Sequence, residues 1–187
     1  MLKKVRKLFL YYVMGIVVGL PVLSGCATQF TKVDTMVEQP FVSDKYRTAQ
    51  ITPCVNRTDY KGTHDLASEA TRTFTNKVRE SELFEIVPNA KLILTCDIER
   101  FQEGSAVKRW VQPGWGATQA QVVVMVWQKP DDNVLATFRT EAAVDSGGFY
   151  TIGADHNIFG AAFSDIIKQL KVWVKGDDPG KSVGSVK

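Results

Sequence analysis

Four segments of the chain alternate apolar and polar residues with the period of a half-buried strand, and two repeat apolar residues at helical spacing. Along Arg47–Val55, Ala49, Ile51 and Val55 fall on one face and Thr48, Gln50 and Thr52 on the other, with Pro53 placing the end of the strand at an edge. Along Lys91–Arg100, Leu92, Leu94, Cys96 and Ile98 oppose Lys91, Thr95, Asp97 and Glu99. Ala120, Val122, Val124 and Val126 share a face of Ala117–Gln128. Val134, Ala136, Phe138, Ala142 and Val144 oppose Arg139, Glu141 and Asp145 along Val134–Asp145. Such alternation marks strands covered on one side only. Leu83–Val87, ended by Pro88-Asn89, reads as a further short strand. Lys129-Pro130-Asp131-Asp132-Asn133 is a turn that joins the last two long strands into an antiparallel hairpin.

A helix is expected from about Asp65 to Ser81, where Leu66, Ala70, Phe74, Val78 and Ser81 form one narrow face. Thr63 serves as its expected N-cap, with Asp65 in the first turn against the helix dipole. A second helix spans about Asn157–Val174 on the stripe Phe159, Ala162, Phe163, Ile166, Leu170 and Trp173, capped by Asp155 or Asn157 and stopped by Gly176 and Pro179. The order β-α-β-β-β-β-α predicts a single α+β domain over residues 46–175, a mixed, mostly antiparallel sheet with two helices on one face. Residues 176–187 are expected to be a disordered tail.

Upstream the pattern changes character. Lys3, Lys4, Arg6 and Lys7 precede an apolar run from Leu8 to Leu20, and no acid appears before Asp34. The run falls short of the ~20 apolar residues of a spanning helix and has the layout of a secretory signal. It closes on Leu23-Ser24-Gly25-Cys26, a lipobox, so residues 1–25 are expected to be removed and Cys26 lipidated. Ala27 stands where an Asp commonly marks inner-membrane retention in such lipoproteins, which favours the outer membrane. Residues 26–45, polar and interrupted by Pro40, are expected to form a tether, with Val33, Thr35 and Val37 alternating as a short strand would. Removing residues 1–25 takes away four of the 23 Lys/Arg and none of the 20 Asp/Glu, turning a formal charge of +3 into −1. The basicity belongs to the signal, and nucleic acid is set aside as a partner.

Cys54 and Cys96 remain after lipidation. An oxidising compartment permits a disulfide, but Cys54 is in phase with Thr52 and Gln50, opposite the face of Cys96. Free thiols are therefore expected, unless Pro53 introduces a bulge that reverses the phase. Candidate chemistry is sparse: no nucleophile elbow, zinc-protease helix or phosphate-binding Lys-Ser/Thr motif occurs. His64 with Asp65 and His156 with Asp155 each stand at a helix start and could meet as metal ligands, although capping and loop roles account for them as well. No catalytic residue, metal or cofactor is expected. Gly147-Gly148-Phe149-Tyr150-Thr151-Ile152-Gly153 reads as a backbone device leading into the last helix.

Gly104–Gly116 is the unusual stretch, placing Lys108, Arg109, Trp110 and Trp115 between two strands. Aromatic and Arg side chains on a loop are the common currency of recognition. The alternative is that the tryptophans fold back over an open sheet edge.

From Gly114-Trp115-Gly116-Ala117-Thr118-Gln119-Ala120-Gln121-Val122, through Leu135-Ala136-Thr137-Phe138, to Gly147-Gly148 and the final helix, the chain resembles the bacterial lipoproteins grouped as domain of unknown function 4410. The resemblance covers roughly residues 45–175 and brings no catalytic residues with it. More loosely, the element order is similar to envelope lipoproteins that assist curli secretion or activate peptidoglycan synthases. The expectation is a non-enzymatic lipoprotein of the outer membrane, facing the periplasm and acting as an accessory or assembly factor. It would bind an envelope protein or further copies of itself through Lys108, Arg109, Trp110 and Trp115. The alternative is a small-molecule or glycan binder using the same tryptophans.

Overall fold

The computed structural model describes residues 28–42, 46–105, 116–145 and 154–176. The strands are β1 (Thr28–Val37), β2 (Thr48–Ile51), β3 (Val55–Asn56), β4 (Glu85–Ile86), β5 (Leu92–Gln102), β6 (Thr118–Gln128) and β7 (Asn133–Asp145). The helices are α1 (Leu66–Ser81), between β3 and β4, and α2 (Ala154–Val174), after β7. The strands form one mixed sheet in the order β1-β7-β6-β5-β2-β4, with β3 also on β5. The α+β architecture is that expected from the alternation.

Both helices lie on one face. Leu92, Leu94, Cys96 and Ile98 of β5, Val122, Val124 and Val126 of β6, and Ala136, Phe138, Ala142 and Val144 of β7 are buried there. Leu66, Ala70, Phe74 and Val78 of α1 meet them, as do Phe159, Ala162, Phe163, Ile166, Leu170 and Trp173 of α2. Burying aliphatic and aromatic side chains on this scale contributes about 1.5–3 kcal/mol each and is what holds the layers together. Phe74 and Phe163 join the two helices at a ring-centroid distance of 5.0 Å.

Several expectations are corrected. The tether is in part a strand: all ten residues of β1 pair antiparallel with β7, from Thr28↔Asp145 to Val37↔Ala136. Its Thr, Lys and Asp content reads as linker because an edge strand buries little. The segment that follows is also held, since the Glu38 and Gln39 amides donate to the Leu135 carbonyl at 3.0 and 3.1 Å. Phe41 then packs edge-on to Trp173, with centroids 4.8 Å apart, and the Trp173 indole N–H donates to the Gln39 carbonyl at 3.1 Å.

The N-cap of α1 is Asp65 rather than Thr63: its side chain accepts from the Ser68 amide. The two cysteines are not free thiols but form a disulfide with Cα atoms 4.5 Å apart. Ile51 pairs with Leu94 and Val55 with Asp97, so four steps along the first segment match three along β5. One extra residue is accommodated around Pro53, and a single insertion reverses the side-chain phase. Cys54 is thereby turned into the core beside Cys96, while Val55, expected inside, is 44% exposed.

Candidate functional site

Strand directions sort the connections into two ends. β2 and β3 run parallel to β5, β6 runs against β5, β7 against β6, and β1 against β7. β3, β5 and β7 therefore finish at one end of the sheet, and β1 and β6 start there. Phe101, near the end of β5, stacks on Phe159 near the start of α2 at 6.1 Å, whereas Trp173 reaches Gln39 at the opposite end. Both helices therefore begin at the first end. It gathers the start of β1, the β3–α1 loop and the ends of the β5–β6 and β7–α2 connections.

Cys26, Lys108, Arg109, Trp110 and Trp115 lie outside the described residues, as does the Gly147–Gly153 segment. The frame from which the Trp segment leaves is described. The Ser105 amide donates to the Gly116 carbonyl at 3.0 Å, and the Gly104 amide donates to the Thr118 hydroxyl at 3.1 Å. Gly116 takes φ +81°, a conformation glycine adopts without the steric cost of a Cβ. Residues 106–115 thus begin and end at a hydrogen-bonded neck, with Thr118 fully buried beneath it.

Beside the neck, Tyr60 packs edge-on to Phe101 with centroids 4.9 Å apart, and its hydroxyl donates to Glu103 at 3.0 Å. The β3–α1 loop is thereby folded against the end of β5. At the start of α1, the Ser68 hydroxyl and amide donate to Asp65 at 2.7 and 3.1 Å. These two bonds, the hydroxyl's first, hold the Asp65 carboxyl below its ordinary range. Asp65 is thus engaged as a cap. The side chains of Asp155 and His156 are not among those described, and the described residues contain no group of three potential metal ligands.

The sheet face away from the helices differs from the polar surface expected. Val123 is 4% exposed there, and Ile93, Met125 and Trp127 are half-buried, with the Trp127 indole N–H donating to the Thr95 hydroxyl at 3.0 Å. The run Val122-Val123-Val124-Met125-Val126-Trp127 carries this signal in the sequence, because it breaks alternation with apolar residues on both faces. Arg139–Glu99 and Arg57–Asp97 ion pairs at 3.1 and 2.9 Å cover parts of this face. Near the neck, beside the register shift between Ile98 and Arg100, lies a depression of about 170 Å³. Arg100 of β5, Gln121 of β6 and Glu141 of β7, paired across three strands, line it together with Ala143. Such a donor and acceptor set can hydrogen-bond a polar ligand. Among the described residues no helix is long and apolar enough to cross a membrane.

No protein-family model matches the chain, and no curated protein matches it. Solved structures do match. The PelC dodecamer from Paraburkholderia phytofirmans is 14% identical with a TM-score of 0.53, over 80% of this chain and 99% of that one. A point variant of the same dodecamer gives the same identity and TM-score over 79% and 98%. The hypothetical protein CT253 from Chlamydia trachomatis is 13% identical with a TM-score of 0.50, over 69% and 98%. At these identities what the chain shares with them is the fold.

Proposed function

We propose that the chain is an envelope lipoprotein, lipidated on Cys26, anchored in the outer membrane and facing the periplasm. In this reading it is of the kind grouped as domain of unknown function 4410. It acts without catalysis, as an accessory or assembly factor that binds an envelope protein through Lys108, Arg109, Trp110 and Trp115. The observation that carries this reading is a shared end. β1 begins two residues after Cys26, a reach of at most about 7 Å, at the end of the sheet where the Ser105–Gly116 neck lies. A lipid at Cys26 holds the basic and aromatic segment close to the bilayer, where a partner embedded in the same membrane is within reach. Two or more acyl chains make such anchoring stable.

Self-association is a second reading, favoured by the dodecameric assembly of PelC, whose fold the chain shares. A polar small molecule or glycan is a third, favoured by the Arg100, Gln121 and Glu141 depression beside the neck. Crosslinking in intact cells followed by capture of the tagged chain from membranes separates them. The first reading expects one specific envelope protein, lost from the Trp110→Ala and Trp115→Ala variants. Recovery of only the chain itself favours the second, and recovery of no protein, with saturable glycan binding, favours the third. Cys26→Ala is expected to abolish acyl labelling and release the domain from the membrane fraction. Unchanged labelling and fractionation would refute the anchor.

A further inference from the structure

β1 is an edge strand ten residues long, with β7 on one side and, among the described residues, no strand on the other. The opposite edge, β4, has only two residues. A long free edge is a template for further pairing, and proteins commonly blunt it with charges. Lys32 and Asp34 stand in β1, mostly exposed and 3.3 Å apart, and are its only charged residues. They have opposite signs, two positions apart, with Val33 between them and Thr31 and Thr35 on either side.

That arrangement is self-complementary. We propose that β1 pairs antiparallel with β1 of a second copy about a two-fold axis at Val33, joining two sheets into one. In this register Lys32 stands opposite Asp34 of the second copy and Asp34 opposite its Lys32. Thr31 stands opposite Thr35, and Met36 opposite the Phe30 position. Opposed unlike charges and Thr pairs both stabilise antiparallel strands. The neighbouring registers that keep the helices of both copies on one side are excluded by charge. A shift one way puts Lys32 opposite Lys32, and a shift the other way puts Asp34 opposite Asp34. The two charges therefore admit a second copy in one register and reject strands of unmatched charge. Met36, 63% exposed, and Val37, 39% exposed, lie at the end of the same edge and gain cover from the partner strand.

The pairing places the two Thr28 positions about 33 Å apart along the joined edge. If Cys26 carries lipid, both anchors enter one bilayer when the strands run along its surface. Confinement to a membrane raises the effective concentration of each copy for the other.

The test uses the full mature chain, lipidated, in detergent micelles, with mass measured by light scattering across a concentration series. The wild type is expected to be in monomer–dimer equilibrium. Lys32→Asp alone or Asp34→Lys alone, each placing like charges opposite one another twice per dimer, should raise the dimer dissociation constant at least about ten-fold. Mixing the two single variants should give heterodimers, because each then supplies the charge the other lost. Val33→Cys should crosslink to itself on oxidation, whereas Val37→Cys should not. A monomeric wild type, single variants that dimerise as the wild type does, no heterodimer on mixing them, or crosslinking at Val37 rather than Val33 would each overturn the proposal. These readings do not depend on the partner assigned to the Trp segment.

Discussion

Cys54 and Cys96 are joined by a disulfide across 42 residues of sequence, linking the segment between β2 and β3 to the middle of β5. Cys54 is 3% exposed and Cys96 is not exposed at all, so the bond is a core staple. Closing a loop of this length contributes about 4 kcal/mol in the chain-entropy model. The double variant Cys54→Ala/Cys96→Ala should unfold in urea with stability lowered by about 3–4 kcal/mol, while keeping its far-ultraviolet circular dichroism. A loss below about 1 kcal/mol would show that the segment around Pro53 is held without the bond.

The Thr31 hydroxyl donates to Asp165 of α2, and Lys168 pairs with the same carboxylate at 2.5 Å. The Thr31 bond is a side-chain tie of β1 to the helix layer, and Lys168, one turn along the same helix, holds the carboxylate in place. Asp165→Ala should cost about 1.5–3 kcal/mol, the usual range for a hydrogen bond with a charged partner. The cost should concentrate in β1. Hydrogen exchange is expected to speed up over 28–37 and remain slow over the 92–98 segment of β5. Uniform acceleration across both strands would mean that β1 does not open separately.

What the sequence made legible follows burial. β5, β6 and β7 each keep one face against helices along their length, so period-two alternation located them to within a residue or two. β1 showed only as the short alternation of Val33, Thr35 and Val37, because its partner, β7, lies roughly 100 residues away and its outer face stays in water. At Pro53 the sequence leaves two phases open, direct or reversed by a bulge, and only the pairing with β5, which counts residues on both sides, decides between them. The non-alternating valines of β6 announced an apolar outer face, which the reading of strands covered on one side passed over. For the candidate site, residue types marked Lys108 to Trp115 as unusual. The closed neck and its place at the end where β1 begins arise from pairings that no local pattern contains.

Asp65 gives a pH signature. Its carboxyl is held below its unfolded value by bonds from Ser68, so the folded state favours the ionised form. The stabilisation is fully present above the unfolded value near pH 4 and is lost as pH falls through the lower folded value. At neutral pH, Asp65→Ala should melt earlier than wild type, and Asp65→Asn should lie between them. As pH falls through the lowered folded value, the gap between wild type and Asp65→Asn should close. A gap independent of pH would show that capping geometry alone, without charge, accounts for the residue.

The tryptophans of the Gly104–Gly116 segment decide between recognition and covering. The neck is closed by Ser105 with Gly116 and by Gly104 with Thr118, so its backbone bonds need nothing from residues 106–115. The helix-facing core is already filled by Phe74, Phe138, Phe159, Phe163 and Trp173. If the segment is a recognition element, Trp110→Ala and Trp115→Ala should each leave the melting temperature nearly unchanged. Each should also weaken capture of the partner by more than ~1 kcal/mol, as interface anchors do. If the rings instead cover the apolar outer face around Val123, truncation should cost about 3–5 kcal/mol of stability, as for core aromatic residues. Melting curves of the two variants distinguish these outcomes before any partner is identified. A large loss in both would make the segment a lid over the sheet and move the search for a binding site to the Arg100 depression.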